Sequence, residues 1–150
     1  MRLDAMRFTR RDALTGILLA CALRPAAATP AMMEAAIADF TKNRPVTEGR
    51  VKLDLPPLVE NGNAVPLTVS VESPMSEQDF ISRIALFNEK NPQPNIALFY
   101  LTPHAGRAQV STRIRLGDSQ FITAIAETNT GALFSAKAEL IVTLPACAEN

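Results

Sequence analysis

The sequence contains no tryptophan, a single histidine, two cysteines and only six glycines in 150 residues. A lone histidine does not make a zinc site, and no metal-ligand spacing or glycine-rich phosphate loop occurs, so we expect no metal and no cofactor. Basic stripes with interleaved aromatic residues are also missing, which argues against nucleic acid as a partner. The composition therefore favours a protein without resident catalytic groups.

No apolar run is long enough to cross a membrane. The run from Ala13 to Leu23 has 11 residues, whereas a helical span needs about 20. Arginines precede this run and small residues follow it, which is typical of an export signal. Arg10 and Arg11 resemble the pair of a twin-arginine signal. We therefore expect a signal peptide over residues 1–28, a periplasmic location and no membrane span.

Two alternatives stay open at this end of the chain. The general secretory route would also accept such a signal. In addition, the stretch from Leu18 to Cys21 resembles a bacterial lipobox, in which case Cys21 would become a lipidated amino terminus. Otherwise Cys21 is a small apolar residue of a discarded peptide.

The mature chain expected after cleavage is short and mildly acidic. Cleavage after Ala28 removes five basic and two acidic residues. The remaining 122 residues contain 10 Lys and Arg and 13 Asp and Glu, a net charge of about −3. Such a surface repels phosphates. The length suits one domain with a single core, so we expect a helical segment over 29–45 and one domain over 46–150.

Hydrophobic periodicity changes once along the mature chain. From Ala31 to Asn43 apolar residues recur at helical spacing, and Arg44-Pro45 ends the pattern. Beyond this helix, apolar and polar residues alternate in 51–55, 65–71 and 110–116, as in strands with one buried face. The predicted strands cover 51–55, 65–71, 81–87, 95–101, 110–116, 120–127 and 132–144, the last long enough for a bulge or a break.

Turn signals separate these runs, and no helical crossover lies between them. This spacing favours antiparallel pairing in two packed sheets. We therefore predict an all-β fold, an immunoglobulin-like sandwich of about seven strands with a short N-terminal helix. Without a disulfide or a tryptophan, aliphatic and phenylalanine side chains must form its core.

The main candidate functional residue is Cys147, the one cysteine left once the signal is removed. Exported proteins normally pair their cysteines, so an odd thiol points to intermolecular bonding or to chemistry on the sulfur. A thiolate can accept sulfur through a reversible S–S bond. Three residues lead from Leu144 to Cys147, about 10 Å when extended, enough to enter a narrow channel. These features predict a covalent sulfur carrier, acted on by other enzymes, rather than an enzyme.

Several stretches of the mature chain together resemble the SoxY family of periplasmic thiosulfate oxidation. They are Lys52–Pro56 with Glu60–Pro66, Val71–Met75, and Asn91-Pro92 leading through Thr102-Pro103 to Val110–Leu116. The resemblance implies an immunoglobulin-like domain that pairs with a second small subunit, SoxZ. It also implies twin-arginine export and sulfur intermediates carried on a cysteine near the carboxyl terminus, here Cys147. The thiosulfate-oxidising enzymes of the Sox system would then be further partners.

The tail departs from the family pattern, which resembles Gly-Gly-Cys-Gly-Gly. Here Pro145, Ala146 and Ala148 surround Cys147, and proline and alanine restrict a backbone that glycines would leave free. Glu149 adds negative charge that disfavours the thiolate. A divergent SoxY paralogue without sulfur-carrying activity, or a periplasmic immunoglobulin-like binding or structural module, therefore stays open as an alternative.

The remaining polar residues predict little chemistry. His104 lies in a turn and is expected to be a solvated loop residue. Arg113 and Arg115 share one strand face and could bind a sulfate-like anion or an acidic partner, although a solvated face explains them too. Three carboxylates fall on separate strands and turns with no sign of an acid and base pair, which disfavours an enzyme. They are Asp54, Glu60 and Glu72.

Overall fold

A computed structural model describes residues 28–146 of the chain. The helix α1 spans Pro30–Thr41. The strands are β1 Val46–Glu48, β2 Val51–Asp54, β3 Leu58–Val59, β4 Val65–Val71, β5 Ile81–Asn88, β6 Asn95–Tyr100, β7 Ala108–Ile114, β8 Gln120–Thr128 and β9 Leu133–Val142. Single turns of 3₁₀ helix occur at Gly62–Ala64 and Pro103–Ala105.

The strands form a sandwich of two sheets, which confirms the predicted all-β fold with a helix near its amino end. The larger sheet has the order β1-β9-β8-β5-β6, with β3 also paired to β9, and the smaller has the order β2-β4-β7. The long strands pair antiparallel, as expected. Each of the seven predicted runs corresponds to one of them, with ends that shift by a few residues.

Two short strands were missed by the sequence interpretation. β1 and β3 have three and two residues and pair parallel to β9, with Val46 opposite Leu133 and Leu58 opposite Ile141. Segments of this length are too short for an alternating pattern to reveal them. β9 itself runs unbroken for 10 residues, and the register shifts fall in β5 instead.

The main core lies between the two sheets. Alternate residues of β4 are buried, and they face the inner side chains of β5, β8 and β9. Its largest fully buried side chains are Leu67, Ile81, Ile84, Leu86, Leu116, Ile122 and Leu140. Each such side chain contributes about 1.5–3 kcal/mol when removed from water, so their burial is a main source of the stability of the sandwich.

β5 and β8 are buried on both faces, because α1 covers their outer side. Almost every residue of these two strands is buried. Met33 and Phe40 of α1 pack over Phe87 and Ile125, and the Phe40 and Phe87 rings meet edge to face at 6.0 Å. The single buried face predicted for 51–55, 65–71 and 110–116 does not extend to these central strands.

Local sequence explains where α1 begins and ends. The Thr29 hydroxyl accepts a hydrogen bond from the Met32 amide at 3.3 Å, and Pro30 occupies the first turn, where its missing N–H is no loss. Lys42 and Asn43 have φ values of 55° and 57°, the left-handed conformation that ends many helices. The predicted helix is thus confirmed.

No helix within residues 28–146 is both long and apolar enough to span a bilayer. Residues 1–27 lie outside the described part of the chain. The predicted export signal, with Arg10 and Arg11, and the alternative lipidation site at Cys21 therefore stay predictions.

Candidate functional site

The segment that leads to Cys147 is hydrogen-bonded to the body of the domain. Beyond β9 the chain continues beside the residues that follow β3, and the Leu144 amide donates to the Glu60 carbonyl at 3.1 Å. The Ala146 amide then donates to the Leu116 carbonyl at 3.0 Å, on the other side. The backbone up to Ala146 is therefore held in place by the domain.

Gly62 is the centre of these contacts, which we call the tail anchor and which join Glu60, Gly62 and Leu116 to Leu144 and Ala146. Its amide donates to the Leu144 carbonyl and its carbonyl accepts from the Leu116 amide, both at 2.9 Å. A β-carbon at this position would overlap the Leu116 carbonyl oxygen and lie 2.9 Å from the Ala146 nitrogen. Only glycine permits so close an approach of three backbone segments. The sequence indicated a turn here, but nothing in it showed that the turn holds the tail.

The anchor corrects the expected reach of the tail. A free arm of about 10 Å was expected from Leu144 onward, whereas the backbone stays bound through Ala146, because it extends the pairing of β9 with β3. Pro145 is exposed and Ala146 is half-buried. Cys147 and Ala148 lie outside the described residues, so the predicted attachment point directly follows the last anchored amide.

Two arginines lie beside this anchor. Arg113 is near the end of β7, Arg115 follows it, and both side chains are exposed on one face, as predicted. An Nη of Arg115 donates to the Asn63 side-chain oxygen at 3.4 Å. The Asn91 side chain donates to the Arg115 carbonyl at 2.7 Å. Both arginines line a cavity of about 440 Å³ that opens between β6 and β7.

The other polar candidates are not brought together. His104 is exposed in the second 3₁₀ turn. Asp54, Glu60 and Glu72 are exposed on separate elements, as expected of solvated carboxylates. Across the part of the chain that is described, no three side chains of histidine, cysteine, aspartate or glutamate gather as a metal site would require.

Sequence reasoning missed a partly buried ion cluster beside α1. Glu127 of β8 accepts from Arg44 at 2.7 Å and from the Arg83 Nε at 2.8 Å. Arg44 also donates to the Gly131 carbonyl, and the Arg83 guanidinium stacks on the Phe40 ring at 4.8 Å. No spacing pattern signals this cluster, since its three members are 39 to 83 residues apart.

The protonation of Glu127 follows from these contacts. Burial opposes the charged carboxylate, but the hydrogen bonds from Arg44 and Arg83 and their positive charges outweigh it and lower the pKa of Glu127. The carboxylate is therefore ionised at neutral pH and joins the segment after α1 to β5 and β8. The cluster stabilises the position of the helix and is remote from the tail anchor.

The fold and the anchored tail define an immunoglobulin-like sandwich that presents its final segment at one edge. The family described as sulfur oxidation protein SoxY matches residues 37–147. The chain therefore belongs to the SoxY family, as its motifs suggested.

Solved structures agree with this assignment. The sulfur carrier protein SoxY from Chlorobium limicola f. thiosulfatophilum is 26% identical with a TM-score of 0.65, over 77% of this chain and 100% of that chain. A superoxide reductase (neelaredoxin) from Ignicoccus hospitalis is 22% identical with a TM-score of 0.56, over 77% and 94%, which shows a shared fold alone. A search of curated protein sequences gives no match.

Proposed function

We propose that this protein carries sulfur intermediates covalently on Cys147 during thiosulfate oxidation. The observation that supports this most is that the SoxY family match extends through residue 147 and so includes the cysteine. The similarity to a SoxY sulfur carrier supports the same role. The protein is then a substrate of partner enzymes and needs no acid, base or metal of its own.

The proposed loading reaction forms one sulfur–sulfur bond. The Cys147 thiol and thiosulfate lose one proton and two electrons to an oxidising partner enzyme, and a Cys–S–S–SO₃⁻ adduct remains. The thiolate is the reacting form, and Glu149 disfavours it in the isolated protein. We therefore expect the partner enzyme to activate the thiol.

The anchored tail changes how the thiol is presented. Because the backbone is hydrogen-bonded through Ala146, no free arm of described residues precedes the proposed attachment point at Cys147. Pro145 and Ala146 restrict the backbone further. An enzyme that acts on the adduct must therefore accommodate the adjoining edge of the sandwich as well as the tail.

Family membership implies partners from the Sox system, and we propose a SoxZ-like subunit as the partner in a heterodimer. We also propose export to the periplasm by the twin-arginine signal at Arg10 and Arg11, with cleavage near residue 28, which leaves 29–45 as the helical segment and 46–150 as the carrier domain. Sequencing the amino terminus of the exported protein tests this. A mature protein that begins at a lipidated Cys21 would contradict cleavage near residue 28 and support the lipoprotein alternative.

Intact-mass spectrometry tests the carrier function. The mature protein is incubated with thiosulfate and the oxidising partner enzyme, and an increase of about 112 Da is expected for each thiosulfate adduct. A Cys147→Ser variant should gain no mass. A wild-type protein that stays unmodified while its partner oxidises a SoxY control would contradict the proposal.

A second variant distinguishes a SoxY paralogue whose tail is no longer competent from a protein that is not a sulfur carrier. Replacing Pro145, Ala146 and Ala148 by glycine gives Gly-Gly-Cys-Gly, four of the five residues of the tail typical of the family. If only this variant gains mass, the protein is a divergent SoxY paralogue whose tail has lost competence. If neither gains mass, a binding or structural module is the better interpretation.

A further inference from the structure

Arg113 and Arg115 differ from Arg44 and Arg83 in having no carboxylate beside them in the described part of the chain. Within residues 28–146, no aspartate or glutamate oxygen lies within 4.0 Å of either guanidinium, whereas Arg44 and Arg83 share Glu127. The nearest acidic residue along the chain, Asp118, is paired with Lys90 at 3.0 Å. Among the described residues, the positive charge on this surface therefore has no carboxylate partner.

The chain brings this charge next to the proposed attachment point. Leu116, which directly follows Arg115, holds the Ala146 amide, which directly precedes Cys147. Arg115 also contacts Asn63, the neighbour of the anchoring Gly62. Adjacent Cα atoms are about 3.8 Å apart, so the described chain ends one peptide unit before Cys147 at an anchor that Arg115 adjoins.

The surroundings of Arg115 are suited to binding an anion. Its backbone carbonyl is fixed by the Asn91 side chain, whose oxygen accepts the Gly117 amide at 3.1 Å. Arg115 lines a cavity of about 440 Å³ together with Arg113 and Asn95. This volume is ample for a sulfur oxyanion.

We propose that Arg115, assisted by Arg113, binds the negatively charged oxyanion end of the sulfur group carried on Cys147. This inference rests on the proposed carrier function. A guanidinium donates two parallel hydrogen bonds to two oxygens of one anion, a geometry that an ammonium cannot match. The pair offsets the charge of Glu149, holds the loaded group against the domain between enzyme visits and attracts anionic sulfur donors to the thiol.

Two thiol reagents of different charge test the proposal without any partner enzyme. The Cys147 thiolate attacks the tetrathionate dianion, forms Cys–S–S–SO₃⁻ and releases thiosulfate; with neutral methyl methanethiosulfonate it forms Cys–S–S–CH₃ and releases methanesulfinate. Both reactions need the same thiolate, so the ratio of their rates cancels any change in the pKa of the thiol. The ratio reports attraction of the anion alone.

In the mature wild-type protein this ratio should fall as salt is added, because screening weakens the attraction. The Arg115→Gln variant should show a ratio about 3–10-fold lower at low salt, and the double variant with Arg113→Gln a larger loss. The Arg115→Lys variant should keep part of the rate ratio that Arg115→Gln loses. Arg107→Gln is the matched control, because this exposed arginine stands at the opposite end of β7, about 25 Å away.

A ratio that is independent of salt in the wild type, or unchanged in Arg115→Gln, would overturn the proposal. The salt series needs no variant, so it decides even if a substitution impairs folding. The test is also separate from the carrier function, since it uses no oxidising enzyme. A protein whose rate ratio is independent of salt yet is loaded enzymatically would be a carrier without this anion site.

Discussion

Two pairs of arginines in this domain have opposite environments. Arg44 and Arg83 converge on one buried carboxylate, Glu127, which holds α1 against the larger sheet. Arg113 and Arg115 are exposed at the edge where the tail is anchored and have no such partner in the described part of the chain. The contrast separates charge that stabilises the fold from charge available to a ligand.

Removing the shared carboxylate should produce the largest effect on stability. Glu127→Ala leaves Arg44 and Arg83 partly buried without their partner, and we expect the free energy of unfolding to fall by about 3 kcal/mol. Urea denaturation measures it. Asp39→Ala is the control, because its ion pair with Lys42 is exposed and should contribute nothing measurable. An equal loss of unfolding free energy in Glu127→Ala and Asp39→Ala would contradict the stabilising role of the shared carboxylate.

The tail anchor should be nearly as sensitive at Gly62. Because a β-carbon there overlaps the Leu116 carbonyl, Gly62→Ala should cost about 2 kcal/mol. Faster hydrogen exchange at the Ala146 amide should accompany this loss. Gly117→Ala is the matched control, since its β-carbon would meet only the Asn91 side chain at 3.8 Å. If the Ala146 amide exchanges equally fast in wild type and Gly62→Ala, the anchor does not form in solution.

The sequence predicted the long elements well, because alternation in segments such as 65–71 follows directly from one buried face. It failed where contacts join distant residues. The parallel pairing of β1 and β3, the burial of β5 and β8 beneath α1 and the role of Gly62 depend on neighbours far along the chain. The site was located only in part, since Arg113 and Arg115 were noticed but their position beside the tail was not.

Acid should weaken the fold through Glu127. Its pKa is lowered in the folded state, so the stabilisation is present above the usual glutamate value of about pH 4.3 and is lost as pH falls through the folded pKa. We expect the midpoint of urea denaturation to decrease below that pH in the wild type. Glu127→Gln should remove this part of the pH dependence; an identical acid profile in both proteins would argue against the ion cluster.

The smallest effect on stability is expected at the exposed pair. Replacing Arg113 and Arg115 by glutamine should change the free energy of unfolding by less than about 0.5 kcal/mol, because neither side chain compensates a buried charge. Arg83→Gln, in contrast, should destabilise clearly. Thermal denaturation of the wild type, the double variant and Arg83→Gln compares their stabilities. A large loss in the Arg113 and Arg115 variant would mean that this surface is structural.

The most direct test of the account is the chemical state of Cys147 in protein isolated from cells that are oxidising thiosulfate. Peptide mass spectrometry of the tail should find sulfane or sulfonate adducts on this cysteine that disappear when thiosulfate is withdrawn. A tail that carries only a free thiol or a disulfide-linked dimer under both conditions would contradict the carrier function.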